Sequence, residues 1–408
     1  VKKIFEAEAM RQDFPCLHQQ VNGQNLVFLD SAASAQKPRC VLEALQQAYS
    51  QNYANVHRGM YYLSELATAK FEDVRKKVAA FIGAASFDEI VFTKGATEAI
   101  NLVAQSYGGL VLRSGDEIII SVLEHHANIV PWQQIAMKTG AKLRVVPVND
   151  ECELNLDSFK NMLVDRTKIV AMLHVSNAVG TVVPIKSVIE LAHQAGAVTL
   201  VDASQSIVHQ PIDVQELDAD FLVFSGHKLY GPNGTGVLYG KAHLLELMPP
   251  YQTGGEMVDQ VSLEFTTFRA PPLRFEAGTP IIAEVIALGA ALDYISEFDR
   301  QAIMKHEQQL HDDICAAISE LKKFRIIGRA KFKAPIISFL HETAHPSDIG
   351  AILDQCGIAI RAGNHCAQPL MQRLGLSATA RASVAMYNTH EDVRALINGL
   401  HKVTKLFA

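Results

Sequence analysis

The chain has 408 residues, 49% of them apolar, which is enough for one large cored domain plus a smaller one. A formal net charge of −6, with no Lys/Arg run beyond short pairs, speaks against unselected nucleic-acid binding. No apolar run approaches the roughly 20 residues that span a bilayer, and Val1–Glu6 turns acidic at once, without the apolar core of a signal peptide.

In chain order, Asn22-Gly23 reads as a turn before a short strand, Leu26–Asp30, and Ser31–Ala35 is a loop of small residues that permits close backbone approach. Helical spacing over Pro38–Tyr49 puts Val41, Leu42, Leu45 and Tyr49 on one face. Asn55–Gly59 is loop chemistry, in which His57 and Arg58 serve equally well as surface residues or as site residues. A longer amphipathic helix follows through Phe71, Val74 and Val78.

The strand Glu89–Phe92 turns through Thr93-Lys94-Gly95-Ala96-Thr97-Glu98 into a helix. Its free amides and the Thr97 hydroxyl suit a phosphate, or simply a capped helix. Strands then recur at Asp116–Ser121, Lys142–Val146, Lys168–Leu173, Val198–Val201 and Phe221–Phe224, with helices between them. This alternation predicts an α/β fold with a largely parallel sheet covered on both faces. Such sheets place ligands at the carboxyl ends of their strands, and Thr97, His125, Asn177, Asp202, Ser225, His227 and Lys228 all gather there.

Two of these strand ends are informative as a pair. Phe221–Phe224 runs into Ser225-Gly226-His227-Lys228, while Val198–Val201 ends in Asp202. A lone loop lysine is usually unremarkable. A partly desolvated lysine opposite a strand-end carboxylate is what pyridoxal phosphate needs: the amine forms a Schiff base with the aldehyde, and the carboxylate keeps the pyridine nitrogen protonated. Gln205 is within reach of the ring's phenolic oxygen.

Past Gly240 the pattern changes. Thr253–Met257 is a flexible loop, Phe275–Pro280 a tight turn, and Ile282–Phe298 a long helix leading toward a smaller domain. That domain is expected to contain helices near Ile303–Leu321 and Ile349–Cys356, strands at Ile336–Phe339 and Ile358–Arg361, and a final helix Glu391–Leu406. The expected division is an N-terminal segment over 1–25, a large cofactor domain over 26–284, and a small domain over 285–408. The six cysteines (16, 40, 152, 315, 356 and 366) show no Cys-x-x-Cys spacing. No metal site and no disulfide framework are therefore expected, and a reducing cytoplasm is.

Ser225–Pro232 resembles the cofactor-lysine motif of aminotransferase class V enzymes. Glu124-His125-His126-Ala127-Asn128 and Arg361-Ala362-Gly363-Asn364-His365-Cys366-Ala367-Gln368-Pro369-Leu370 are similar to group II (SUF-type) cysteine desulfurases, a group that includes selenocysteine lyase activity. Arg381–Thr389 and Leu29–Ser34 extend the resemblance over nearly the whole chain. It implies a fold-type I pyridoxal-phosphate transferase working as a homodimer. Lys228 would bind the cofactor aldehyde, Asp202 its ring nitrogen and Gln205 its phenolic oxygen, with His125 stacked on the ring and shuttling protons. Thr97, Ser225 and His227 would hold the phosphate, and Thr279 would reach the phosphate of the partner subunit. Asn177, Arg361 and Arg381 would bind the carboxylate of L-cysteine or L-selenocysteine. Cys366 would take the sulfur as a persulfide and pass it to a SUF-type acceptor protein. Ala96, Ser204 and Thr253 depart from the family pattern without removing a required group. The rival readings are another class V enzyme, such as an aminotransferase, and a non-catalytic scaffold of the same fold.

Overall fold

In the computed structural model, which describes residues 2–407, seven strands form one central sheet. They are β1 (Ile90–Thr93), β2 (Glu117–Ser121), β3 (Lys142–Val146), β4 (Thr167–Leu173), β5 (Val198–Asp202), β6 (Phe221–Ser225) and β7 (Gly236–Gly240). Their order across the sheet is β1-β7-β6-β5-β4-β2-β3. β3, β2, β4, β5 and β6 run parallel, whereas β7 is antiparallel to both β6 and β1. The sheet is α/β and mixed. β7 is absent from the sequence reading because its bounding glycines resemble turn residues. Gly236 is required there, since a Cβ would fall on the backbone of Gly95.

The apolar runs are explained by two-sided burial. Leu222 and Phe224 join the core on one face of the sheet, and Phe221 and Val223 join the core on the other. Val170 and Met172 alternate with Ile169 and Ala171 in the same way. The period is that of a strand, but both faces meet helices, so no polar alternation shows.

Helix Ile282–Ser296 is apolar almost all round and buried along its length, as a helix enclosed on every side must be. It packs on helices Arg39–Ser50 and Tyr62–Ile82 within the large core. The expected break near residue 285 thus falls inside a buried helix. Helix Arg39–Ser50 buries Val41 and Ala48 but leaves Leu42 and Tyr49 exposed, so half of its anticipated apolar face lies on the surface.

A second sheet comprises β8 (Phe324–Ile327), β9 (Ile336–His341), β10 (Arg361–Gly363) and β11 (Thr379–Ser383), in the order β8-β9-β11-β10 and antiparallel throughout. Helices Arg300–Glu320, Pro346–Asp354 and His390–Leu406 contribute to its core, together with Val27 and Leu29 from the start of the chain. The single strand expected over Ile358–Arg361 is broken at Ile360. Ile358–Ala359 pairs in parallel with Val27–Phe28, and Arg361–Gly363 then joins β11. This switch turns the chain toward the large sheet just before Cys366. Among the described residues no helix is long and apolar enough to cross a membrane.

One buried cation ties several of these parts together. Arg75 is 1% exposed and reaches Glu276 at 2.7 Å and Glu72 at 2.8 Å, while Glu276 also accepts the Phe92 amide of β1 at 2.7 Å. Removing one partner of a buried pair leaves an uncompensated charge. Glu276→Ala is expected to lower unfolding stability by about 3–5 kcal/mol, and Lys77→Ala, which breaks exposed pairs with Asp73 and Asp293, by about 1 kcal/mol or less. Denaturant unfolding of both variants beside the wild type checks the contrast.

Candidate active site

The carboxyl ends of the large sheet and the start of the small sheet enclose a cavity of about 250 Å³. It is lined by Thr97, His125, Asn177, Asp202, Ser225, His227 and Lys228 from the large sheet, and by Arg361, Cys366 and Arg381 from the small-sheet segment. Ten of the residues singled out from sequence thus converge on one space. Gln205 and Thr279 are not among its lining residues. Gln205 is buried and donates its amide to the Ala32 carbonyl at 2.7 Å, holding the small-residue loop against the site. Thr279 borders a separate cleft with Lys94, Glu98 and Gln252.

Lys228 stands three residues past β6 and lines the cavity, half-buried. Burial pulls its ammonium below the ordinary lysine value, opposed by the carboxylate of Asp202 and assisted by Arg381. Asp202 closes β5 and is oriented by the Ser204 amide, which donates to its Oδ1 at 2.9 Å. The Ser204 departure therefore leaves the main-chain contact in place. Burial, with Lys228 next, lowers His125 to about 4. Its Nδ1 accepts the Ala127 amide at 3.1 Å, so the proton of the neutral ring sits on Nε2. His227 is likewise lowered to about 4, by burial and then by Lys228 and Lys37.

The turn after β1 enters helix Ala96–Val103 through Gly95, which offers no side-chain cap. The Ala96 amide donates to the Ser225 hydroxyl at 2.8 Å, leaving that hydroxyl's own proton to point elsewhere. Thr97 is exposed at the helix start. Amides at a helix N-terminus, a free hydroxyl and Thr97 together make a cradle for an anion such as a phosphate. Ala96 takes part through its main chain alone, which its side chain does not affect.

Asp30 carries a role that sequence reading did not assign. Its carboxylate accepts Arg361 at 2.8 Å and Arg381 at 2.9 Å, holding two guanidinium groups side by side at the cavity wall. Arg381 is 1% exposed, also donates to the Asn177 carbonyl at 2.8 Å, and keeps Nε without a partner. The Asn177 side chain donates to the His365 carbonyl at 2.7 Å and leaves Oδ1 unpartnered. Strand-end position alone could have flagged Asp30, as it did Asp202. His57, open as a site residue in the sequence, instead pairs with Glu72 at 2.9 Å, and Arg58 lies near Glu256.

All six cysteines are free thiols, and of the six Cys16 and Cys366 are exposed. Cys366 alone lines the cavity. Its neighbour His365 is buried and lowered to about 3 by burial, then by Arg381 and Arg361. Ser338 donates to the Ala178 carbonyl at 2.6 Å and Thr379 donates to Ser338 at 3.1 Å, so the Thr379 oxygen accepts from His365 Nε2 at 2.9 Å. This chain fixes the tautomer of a neutral imidazole beside the thiol.

Behind His125 lies Glu124, fully buried, with its carboxyl pushed up to about 8 by burial. Its Oε2 accepts Asn128 at 2.7 Å and the Leu173 amide at 2.9 Å, and its Oε1 shares one hydrogen bond with Ser121. A neutral carboxyl satisfies that pattern. Because the folded value is raised, the folded protein holds a proton that the unfolded chain releases near ~4.3. Stability from this group is therefore full below ~4.3 and lost as pH rises toward about 8. Glu124→Gln is expected to fold at pH 6 within ~1 kcal/mol of wild type and to lose less stability between pH 6 and 8, whereas Glu124→Ala loses ~2–4 kcal/mol by stranding buried donors. Urea unfolding at the two pH values reads both effects.

Residues 27–396 match the aminotransferase class-V family. A probable cysteine desulfurase of Vibrio cholerae is 50% identical over 403 residues, spanning 99% of this chain and 100% of that protein. The crystal structure of the Escherichia coli cysteine desulfurase CsdA superposes with a TM-score of 0.93 at 43% identity, covering 99% of this chain and 100% of that one. The apo cysteine desulfurase of Thermococcus onnurineus gives 0.94 at 38% identity, covering 99% of this chain and 100% of that one. The chain belongs to the aminotransferase class-V family, among its cysteine desulfurases.

Proposed function

We propose that the protein is a pyridoxal-phosphate-dependent cysteine desulfurase that moves the sulfur of L-cysteine onto Cys366. The observation that carries this reading is an exposed thiol, Cys366, lining the same cavity as Lys228. A transaminating relative has no use for that thiol. The cavity suits the cofactor on its own chemistry: it offers an anion cradle at Gly95–Thr97 and Ser225, a strand-end carboxylate in Asp202, and buried polar atoms without partners on Asn177 and Arg381.

When bound, pyridoxal phosphate supplies an electron sink for negative charge at the substrate's α carbon. The chain supplies the rest. Thr97, Ser225 and His227 would hold the phosphate and Asp202 the ring nitrogen, with neutral His125 over the ring, and Gln205 would reach the phenolic oxygen by giving up its bond to the Ala32 carbonyl. Arg381 and Arg361, held by Asp30, receive the substrate carboxylate beside Asn177. Lys228, whose amine burial shifts toward the unprotonated form, would take the α proton at Nζ. Sulfur then passes to Cys366: the cysteine C–S bond breaks, a proton replaces sulfur on carbon, and an S–S bond forms, giving L-alanine and a Cys366 persulfide. L-selenocysteine presents the same carboxylate and amine to the same groups.

Cys366 stands three residues past β10 on a short turn. A thiol with so little reach favours handing its sulfur to a docked acceptor protein of the SUF type. Leu42, Tyr49, Tyr53, Met60, Tyr61 and Tyr62 are exposed, with Tyr49 stacked on Tyr53; a second copy of the chain covering them is the reading we favour, and Thr279 would then serve the partner's phosphate. Six free thiols suit the cytoplasm.

Alanine formed from L-cysteine by cofactor-loaded protein with a reductant tests the reading. Wild type is expected to produce it, and Lys228→Ala and Cys366→Ala to lose at least about a hundredfold in rate, the scale on which acid–base or nucleophilic groups act. Full activity in Cys366→Ala would move the sulfur chemistry elsewhere. No alanine from wild type would overturn the substrate assignment.

A further inference from the structure

The turn that carries Cys366 is not a relaxed loop. His365 (φ 54°) and Cys366 (φ 56°) both occupy the left-handed region, where each non-glycine residue is disfavoured by sterics. Two such residues in succession persist only if the surroundings hold them. The small-sheet side does so through Thr379 on the His365 ring, at 2.9 Å. From the large-sheet side, Asn177 holds the His365 carbonyl at 2.7 Å.

Within the turn, the Cys366 amide donates to Asn364 Oδ1 at 3.0 Å, and two further contacts both come from one residue outside it. The His126 amide donates to the Cys366 carbonyl at 2.8 Å, and the His126 ring accepts the Gln368 amide on Nε2 at 3.1 Å. Gln368 opens helix Gln368–Arg373, whose N-cap, Ala367, makes no side-chain capping bond. The imidazole of His126 therefore takes a helix-start amide that Ala367 leaves unpaired. It brackets Cys366, with one bond to the carbonyl of the nucleophile itself and one to the amide two residues on. His126 also follows His125 directly in the chain, so the group facing the cavity and the group clasping the thiol loop share one backbone segment.

We propose that His126 is a positioning residue for Cys366: its ring clasps the strained turn against the segment that follows β2 and sets where the thiol meets substrate sulfur. The inference rests on the desulfurase reading for its kinetic consequence, but the clasp itself can be read without substrate. The geometry also selects the substitution that preserves it. A glutamine side chain places a carbonyl oxygen near the position of Nε2, whereas asparagine is too short to reach the Gln368 amide.

The test compares His126→Ala, His126→Asn and His126→Gln with wild type, each loaded with cofactor. Amide hydrogen exchange over residues 364–370 is expected to speed up about tenfold in the alanine and asparagine variants, the effect of losing roughly one net hydrogen bond, and to stay near wild type in the glutamine variant. The single-turnover rate of Cys366 persulfide formation from L-cysteine is expected to fall by a similar factor in the first two, with KM unchanged, and to recover in the third. If His126→Ala does not fold, the asparagine and glutamine variants carry the comparison. Unchanged exchange in His126→Asn would overturn the proposal, as would a glutamine variant as slow as the asparagine one. Altered exchange with no alanine from wild type would instead sink the desulfurase reading and leave the clasp standing.

Discussion

The burial of Lys228 between the carboxylate of Asp202 and the guanidinium of Arg381 is the constraint to which the rest of the site answers. A buried ammonium near Arg381 is costly unless charge of the opposite sign is close or the amine gives up its proton. Asp202 supplies the opposite charge from the end of β5, and Asp30 screens the two arginines from behind. The three imidazoles at the cavity, His125, His227 and His365, add no further positive charge, because burial and the nearby cations hold all of them neutral. Each therefore acts through a fixed lone pair or a fixed N–H. The cavity is poised to accept anionic groups without the imidazoles competing for them.

That arrangement depends on joining two sheets at one wall. Asp30 comes from the start of the chain, pairs with arginines from β10 and β11, and sits one residue past Leu29, whose carbonyl accepts the Ser383 amide. The break at Ile360 lets one segment satisfy two partners, first Val27–Phe28 and then β11. A continuous strand would carry Cys366 along the small sheet instead of across to the cavity. The broken strand is thus the feature that brings a thiol from one sheet to the lysine of the other.

Much of the site was legible in sequence because a parallel sheet concentrates chemistry at one kind of position. Asp202, Ser225 and Lys228 each follow an apolar run that can only be a buried strand, and their polarity marks the end of it. Asp30 follows the same rule, and its place at a strand end is visible locally; its partners are not, because they lie more than 300 residues away. Glu124 looks like a solvated loop carboxylate beside two histidines; its burial depends on Asn128 and on the Leu173 amide from another strand. In the His125-His126 doublet the sequence singles out His125, which does line the cavity, but carries no sign that His126 meets the thiol loop. Helix Arg39–Ser50 shows the converse: Leu42 and Tyr49 share an apolar face by spacing, yet only part of that face meets helix Ile282–Ser296. Spacing predicts amphipathicity, not which neighbour is present to cover it.

The Arg75 cluster shows how a feature remote from the cavity still shapes it. A buried arginine with two carboxylates is a weak source of net stability, since desolvation offsets most of the attraction. Its geometry, however, is specific. The guanidinium bonds the Ile90 carbonyl at 2.8 Å and lies over the Phe92 ring at 4.6 Å, while Glu276 takes the Phe92 amide. These contacts fix β1 from its outer edge, the side on which no strand pairs with it, and β1 delivers Gly95 and Thr97 to the anion cradle. Glu276 also begins the turn that presents Thr279. An apolar substitute of equal volume could fill the space but would leave the Phe92 amide and the Ile90 carbonyl without these partners. The ion cluster therefore ties the strand entering the cradle to the segment that leads into the Thr279 turn, through Glu276 and Arg75.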